Sequence, residues 1–244
     1  MTTVRRVPWV LLGCLILAQI CYPLLDDRAA ITVATVLIGV ALSVSHALIS
    51  RGPRAVAVLI GTAMLGGFLV EAVGVATGFP FGTYDYSGEL GPKLLGVPLI
   101  IPLAWTWMAW PAWLAALRIT GSRPLRIVVA AFGLACWDLF LDPQMVAEGY
   151  WSWQDPVPAL PGVPGIPISN YLGWLGFAVL MMSFMSAKIG QKADDRPMYA
   201  LWIWTYLSSV LAHVVFLDLP SSAAWGGILM GAAVLPLVIR LCRR

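Results

Sequence analysis

Two aspartates four residues apart, Asp138 and Asp142 in the run Trp137-Asp-Leu-Phe-Leu-Asp-Pro143, lie in a chain where charge is scarce. On a helix that spacing puts both carboxyls on one face, one turn apart. Two carboxyls this close, partly out of water, resist carrying two negative charges. A pair that shares one charge keeps a carboxylic acid able to give up a proton. Glu71, inside another apolar run, is a third such group. An acid of this kind suits protonation of an alkene, and carboxylate charge and aromatic faces would stabilise the resulting carbocation. Aromatic residues gather accordingly. Trp137, Tyr150, Trp151 and Trp153 bracket the aspartate pair, while Tyr84, Tyr86, Trp105 and Trp107 occupy a second stretch. Asp85, Glu148 and Asn170 add polar groups to these stretches and complete the candidate binding set. The structural alternative is that the acids cap helix ends, pair with Lys93 or Arg28, or hold the bundle together. The aromatics would then form an interfacial belt.

The elements that must position these groups are membrane helices. Of 244 residues 60% are hydrophobic and 11% charged, against roughly a quarter charged in soluble domains. Apolar runs at 7–25, 29–49, 55–77, 97–117, 125–141, 169–189, 198–217 and 223–241 reach or approach the ~20 residues that cross the hydrocarbon as helix. The fold class is therefore all-α, a polytopic bundle of eight spans, with seven the alternative. Residues 1–244 form a single membrane domain. The first run is too long for a signal peptide and lacks a clear small-residue cleavage site, so it reads as a retained helix. Pro143 is expected to help end the fifth span. Cys14, Cys21, Cys136 and Cys242 show no paired spacing and read as packing residues.

Basic residues give the orientation. In an arrangement with both termini inside, thirteen of the fifteen Lys and Arg residues fall on the inner side, including Arg5, Lys188, Lys192 and Arg244; only Arg28 and Lys93 fall outside. The net charge of +3 thus reports topology, and a nucleic-acid partner is not indicated. Asp138 lies twelve residues past Arg126, or about 18 Å along a helix, so acid chemistry belongs to the outer half of the membrane. Two connections on that side are long, 78–96 and 146–167, rich in glycine, aromatics and, in the second, five prolines. They are expected to be irregular and to form a cap over the bundle mouth, the second half of 146–167 extended, with Ser169 or Asn170 capping the next helix.

Other chemistries lack support. His46 and His213 are isolated, so the histidine clusters of a di-iron oxygenase are missing, and no glycine-rich nucleotide motif appears. No metal and no cofactor are expected.

The runs Gly82-Thr-Tyr-Asp-Tyr86, Leu90-Gly-Pro-Lys93, Gly96-Val-Pro98 and Ile101-Pro-Leu-Ala-Trp105 carry a resemblance. So do Trp137 to Met145, Gly149-Tyr-Trp-Ser-Trp153, Gly165-Ile-Pro-Ile-Ser-Asn170 and Gly173-Trp174. From about Gly66 to Trp174 the chain resembles the carotenoid biosynthesis family containing the CruF-type carotenoid 1′,2′-hydratases. The resemblance implies addition of water, without a cofactor, to the terminal double bond of an acyclic carotenoid ψ-end, giving a tertiary alcohol. Its partners would be that carotenoid, membrane lipid and neighbouring carotenoid enzymes. Asp138 or Asp142 would be the acid, with the other or Glu71 orienting water. Tyr84, Tyr86, Trp137 and Trp151 would line the pocket. Three rivals stand beside this reading. End-group cyclisation starts from the same cation. A magnesium-dependent prenyltransferase or elongase would use Asp138 and Asp142 as half of a diphosphate signature. A carotenoid or lipid carrier would do no chemistry.

Overall fold

A computed structural model describes residues 6–186 and 194–243, so Arg5, Lys188, Lys192 and Arg244 lie outside the described residues. Eight helices are long and apolar enough to cross a membrane. They are α1 (Val7–Cys21, extended by a 3-10 turn at Tyr22–Leu24), α2 (Ala29–Arg51), α3 (Pro53–Thr77), α4 (Ile100–Ile119), α5 (Arg123–Ala147), α6 (Ile168–Ser186), α7 (Arg196–Val215) and α8 (Pro220–Cys242). Proline stands in the first turn of α1, α3, α5, α7 and α8, where its missing N–H costs nothing and its fixed φ suits a helix start. Gly78 closes α3 in the left-handed conformation, its N–H bonded to Gly74 O at 2.7 Å.

The helix α4 is the centre of the bundle. From Ile100 to Ala116 every residue but Leu103 is buried, including Trp105, Trp107, Trp110 and Trp113. Small residues let these rings in: Gly39 of α2 lies directly against Trp107, leaving no room for a Cβ. His46 packs beside Trp110, whose Nε1 donates to His46 Nδ1 at 3.0 Å. The proton must then sit on Nε2, which donates to Asp194 O at 3.1 Å. Arg51 grips Asp195 bidentately at 2.7 Å on the same end of the bundle.

Two features of helix continuity stand out, and the first corrects an expectation. Pro143 does not end α5, which runs on to Ala147. A proline cannot serve the carbonyl four residues back, and here that carbonyl, Leu139 O, accepts from Ser222 Oγ of α8 at 2.6 Å. His213 Nε2 reaches the next one, Phe140 O, at 3.0 Å. The device recurs in α4. Pro111 leaves Trp107 O to Ser43 Oγ of α2, at 2.7 Å. Second, α3 is not uniform: Ile60–Leu65 is a π-helical segment, which shifts the face presented by everything after it, Glu71 included. Ser222→Ala should strip Leu139 O of its partner and cost about 1–3 kcal/mol, read as a lowered Tm in detergent. In a Pro143→Ala background the restored backbone N–H should remove most of that penalty.

The long connections are more ordered than irregular loops. They form β1 (Tyr84–Tyr86), β2 (Lys93–Leu94), β3 (Val97–Pro98), β4 (Trp151–Trp153), β5 (Ala159–Leu160) and β6 (Val163–Pro167). The hairpins β2–β3 and β5–β6 are each local. The pair β1–β4 joins the two connections antiparallel, with Tyr84 opposite Trp153 and Tyr86 opposite Trp151. Backbone groups at the bundle mouth thereby satisfy one another. The helix α6 begins at Ile168, so neither Ser169 nor Asn170 stands at its N-cap.

Candidate active site

Glu71 stands six residues before the end of α3 at Thr77, about 9 Å along the helix, and is 3% exposed. Three donors converge on it. Tyr84 Oη and Tyr86 Oη donate to Oε2 at 2.6 and 2.8 Å, and Trp105 Nε1 donates to Oε1 at 3.0 Å. Alternation along β1 sends both tyrosines inward and leaves Asp85 facing out, exposed. Burial, and then the charge of Glu71, hold both phenols above their usual pKa. They stay protonated and keep donating.

Asp138 and Asp142 project from one face of α5 toward α6, and both are buried. The side-chain amide of Asn170 joins them, reaching Asp138 Oδ2 at 2.9 Å and hydrogen-bonding Asp142 Oδ2 as well. Trp151 Nε1 donates to Asp142 Oδ1 at 3.2 Å. Asp138 Oδ1 finds no hydrogen-bond partner among the described residues. An amide that gives one N–H to each of two carboxyls fixes their separation and leaves room for one proton between them.

These groups border a cavity of about 160 Å³ under the β1–β4 cap. Its wall carries Glu71, Asp142 and Asn170 among aromatic rings. Trp105 stacks on Trp174 with centroids 3.7 Å apart, Trp137 meets Trp174 edge-on at 6.2 Å, and Tyr84 stacks on Trp153 at 5.5 Å. The arrangement presents negative charge and π-faces to one small apolar space, which suits a cation held away from bulk water.

Of the residues singled out from sequence, Glu71, Asp142, Asn170, Tyr84, Tyr86, Trp105, Trp107, Trp137, Trp151 and Trp153 line this cavity. Asp138 lies behind Asp142, in contact with Asn170. Asp85, Glu148 and Tyr150 do not line it. Glu148 pairs with Arg28 at 2.5 Å on the flank, and Tyr150 is buried beside Thr32. Lys93 spends its amine on the Tyr86 carbonyl. The four cysteines are free, Cys136 buried and the others exposed. Sequence reasoning missed Phe81 and Trp174, and it missed polar residues of α2 and α7 that complete the wall. Trp174 stood at the end of a quoted motif; the α2 and α7 residues carried no signal in apolar runs.

The seat of Tyr84 depends on Gly74, where a Cβ would come within 2.8 Å of both Phe81 and the Tyr84 hydroxyl. Gly74→Ala should cost about 1–3 kcal/mol of stability by overpacking, measured by thermal unfolding. Gly176→Ala, with open space around it, should be neutral.

Eight apolar spans around an aromatic-walled cavity with buried carboxyls define an integral membrane protein with a candidate site inside the bundle. The chain belongs to the carotenoid biosynthesis protein family, whose model matches residues 30–239. Over 135 residues it is 33% identical to a protein of Haloarcula japonica named bisanhydrobacterioruberin hydratase. That match covers 52% of this chain and 44% of the relative, so less than half of the relative's length is spanned. No solved structure matches the chain.

Proposed function

We propose that this protein is a carotenoid hydratase, adding water to the terminal double bond of an acyclic carotenoid end group by acid catalysis without a cofactor. The observation that carries the reading is the convergence of Glu71 and the Asp138–Asp142 pair on one aromatic-walled cavity beneath the β1–β4 cap. Membership in a carotenoid family supports the substrate class, and a relative named as a hydratase supports water as the nucleophile. In this reading the end group enters the cavity and the polyene stays in lipid.

Asp142, facing the cavity, gives its proton to the alkene, and Asp138 behind it shares the charge through Asn170. Glu71, held by three donors, faces the tertiary cation as its counter-charge, and the Trp105, Trp137 and Trp174 rings wall it. Water then captures the cation. The protein works in the cell membrane with both termini inside, an orientation supported by thirteen of fifteen basic residues on one side. The acid site then lies toward the outer surface.

The test is expression in a host that accumulates an acyclic carotenoid, with extracted pigments separated and weighed by mass spectrometry. A more polar pigment heavier by one water is expected. A product of unchanged mass and altered retention would assign cyclisation to the same cation, and unaltered pigment across several acyclic substrates would leave only binding.

A further inference from the structure

The part of the cavity wall contributed by α2 and α7 carries buried polar groups without protein partners. Thr35 of α2 and Thr205 of α7 line the same cavity and are 9% and 2% exposed. Neither hydroxyl finds a hydrogen-bond partner among the described residues. This departs from what other helical threonines of the bundle do, Thr32 of the same cavity included. Thr32, Thr62, Thr77 and Thr106 each donate to the carbonyl one turn earlier, at 2.7, 2.8, 2.7 and 2.8 Å. A buried hydroxyl without a partner costs about 1–3 kcal/mol, so two on one wall mark a place built for a polar guest. Ser208, Ser209 and Gln144 border the cavity as well, and together these groups can give a small guest the two to four polar partners that a held water needs. Thr205 lies ten residues from the end of α7 at Val215, about 15 Å along the helix.

We infer that this hydroxyl wall, centred on Thr35 and Thr205, holds the water that the reaction consumes, on different helices from the acid that starts it. The inference rests on the hydratase reading. In that reaction the π pair of the alkene forms a new C–H bond with the proton of Asp142, leaving a tertiary cation and a carboxylate. A lone pair of the held water forms the C–O bond. The oxonium proton passes to the carboxylate, so the acid is restored, and no electrons are gained or lost. If water is not in place, the cation returns a proton and reverts to an alkene, or is captured by an internal alkene. Protonation and capture are then separable, with a wall of the cavity for each.

The test uses membranes carrying the full chain, incubated with an acyclic carotenoid in heavy water that also carries heavy oxygen. Heavy oxygen in the product counts capture. Deuterium in recovered, unhydrated pigment counts protonation followed by proton loss. Thr35→Val with Thr205→Val, close in shape to the originals, should lower heavy-oxygen uptake about ten- to a hundredfold. Deuterium in the recovered pigment should hold or rise, which also shows that the variant is folded. Thr35→Ser with Thr205→Ser should restore capture. Undiminished heavy-oxygen uptake in the valine variant would overturn the water site and leave the hydratase reading intact. Parallel loss of both labels, or a higher substrate requirement at an unchanged ratio of labels, would overturn it too, assigning the wall to the pigment itself. A wild type that incorporates neither label would sink the hydratase reading, and the water site with it.

Discussion

Asp142→Asn should abolish hydration, with product formation falling by about 10²–10⁴-fold, the range lost with a positioned general acid. The substitution keeps the size of the side chain and removes the only proton the cavity wall can offer from α5. It also turns an acceptor of two donors, Asn170 Nδ2 and Trp151 Nε1, into a group that can accept through one oxygen only. Asp138→Asn should act through Asp142. Asp138 does not line the cavity, and its Oδ2 shares the Asn170 amide with Asp142. Its loss should move the pH at which hydration falls off more than the maximal rate. The measurement is labelled product per unit of protein for both variants across pH, in membranes with matched expression. Equal activity of Asp142→Asn and wild type would remove Asp142 as the acid.

Glu71→Gln should be nearly as damaging, about 10²–10³-fold, for a different reason. The carboxylate is gripped by Tyr84, Tyr86 and Trp105, an arrangement for a negative charge that stays fixed while the cation forms. A glutamine there loses the counter-charge and turns an N–H₂ toward groups that are themselves donors. Tyr84→Phe together with Tyr86→Phe should be milder, since the charge survives with one donor left from Trp105. Deuterium exchange into recovered pigment separates the cases. Glu71→Gln should depress exchange and hydration together, because the cation itself is less stable. If Glu71→Gln spared exchange and lost only hydration, Glu71 would belong with water capture.

Much of this site was legible in the sequence because membrane physics leaves few choices. An aspartate pair at helical spacing inside an apolar run is expected to turn inward, and the apolar runs favour eight spans over seven, the number the structure has among its described residues. Three features were not legible, and each has a physical reason. The register between β1 and β4 depends on two segments some sixty residues apart, so the inward placement of Tyr84 and Tyr86, and the outward turn of Asp85, follow only once the strands are paired. The survival of α5 past Pro143 depends on a serine of α8, far along the chain. Thr32 and Thr35 both line the cavity, yet one bonds its own helix and the other has no partner, a difference that depends on packing and not on residue type. Glu148 reads like the other acids along the chain, but its proximity to Arg28 claims it for an ion pair.

The most direct measurement uses the purified chain in phospholipid vesicles loaded with an acyclic carotenoid, in buffer made with heavy-oxygen water, with chelator present and nothing else added. The expected result is a product heavier than the substrate by one labelled water, formed by the wild type and lost in Asp142→Asn. Pigment recovered without label from a folded wild-type protein, whatever its retention time, would contradict it.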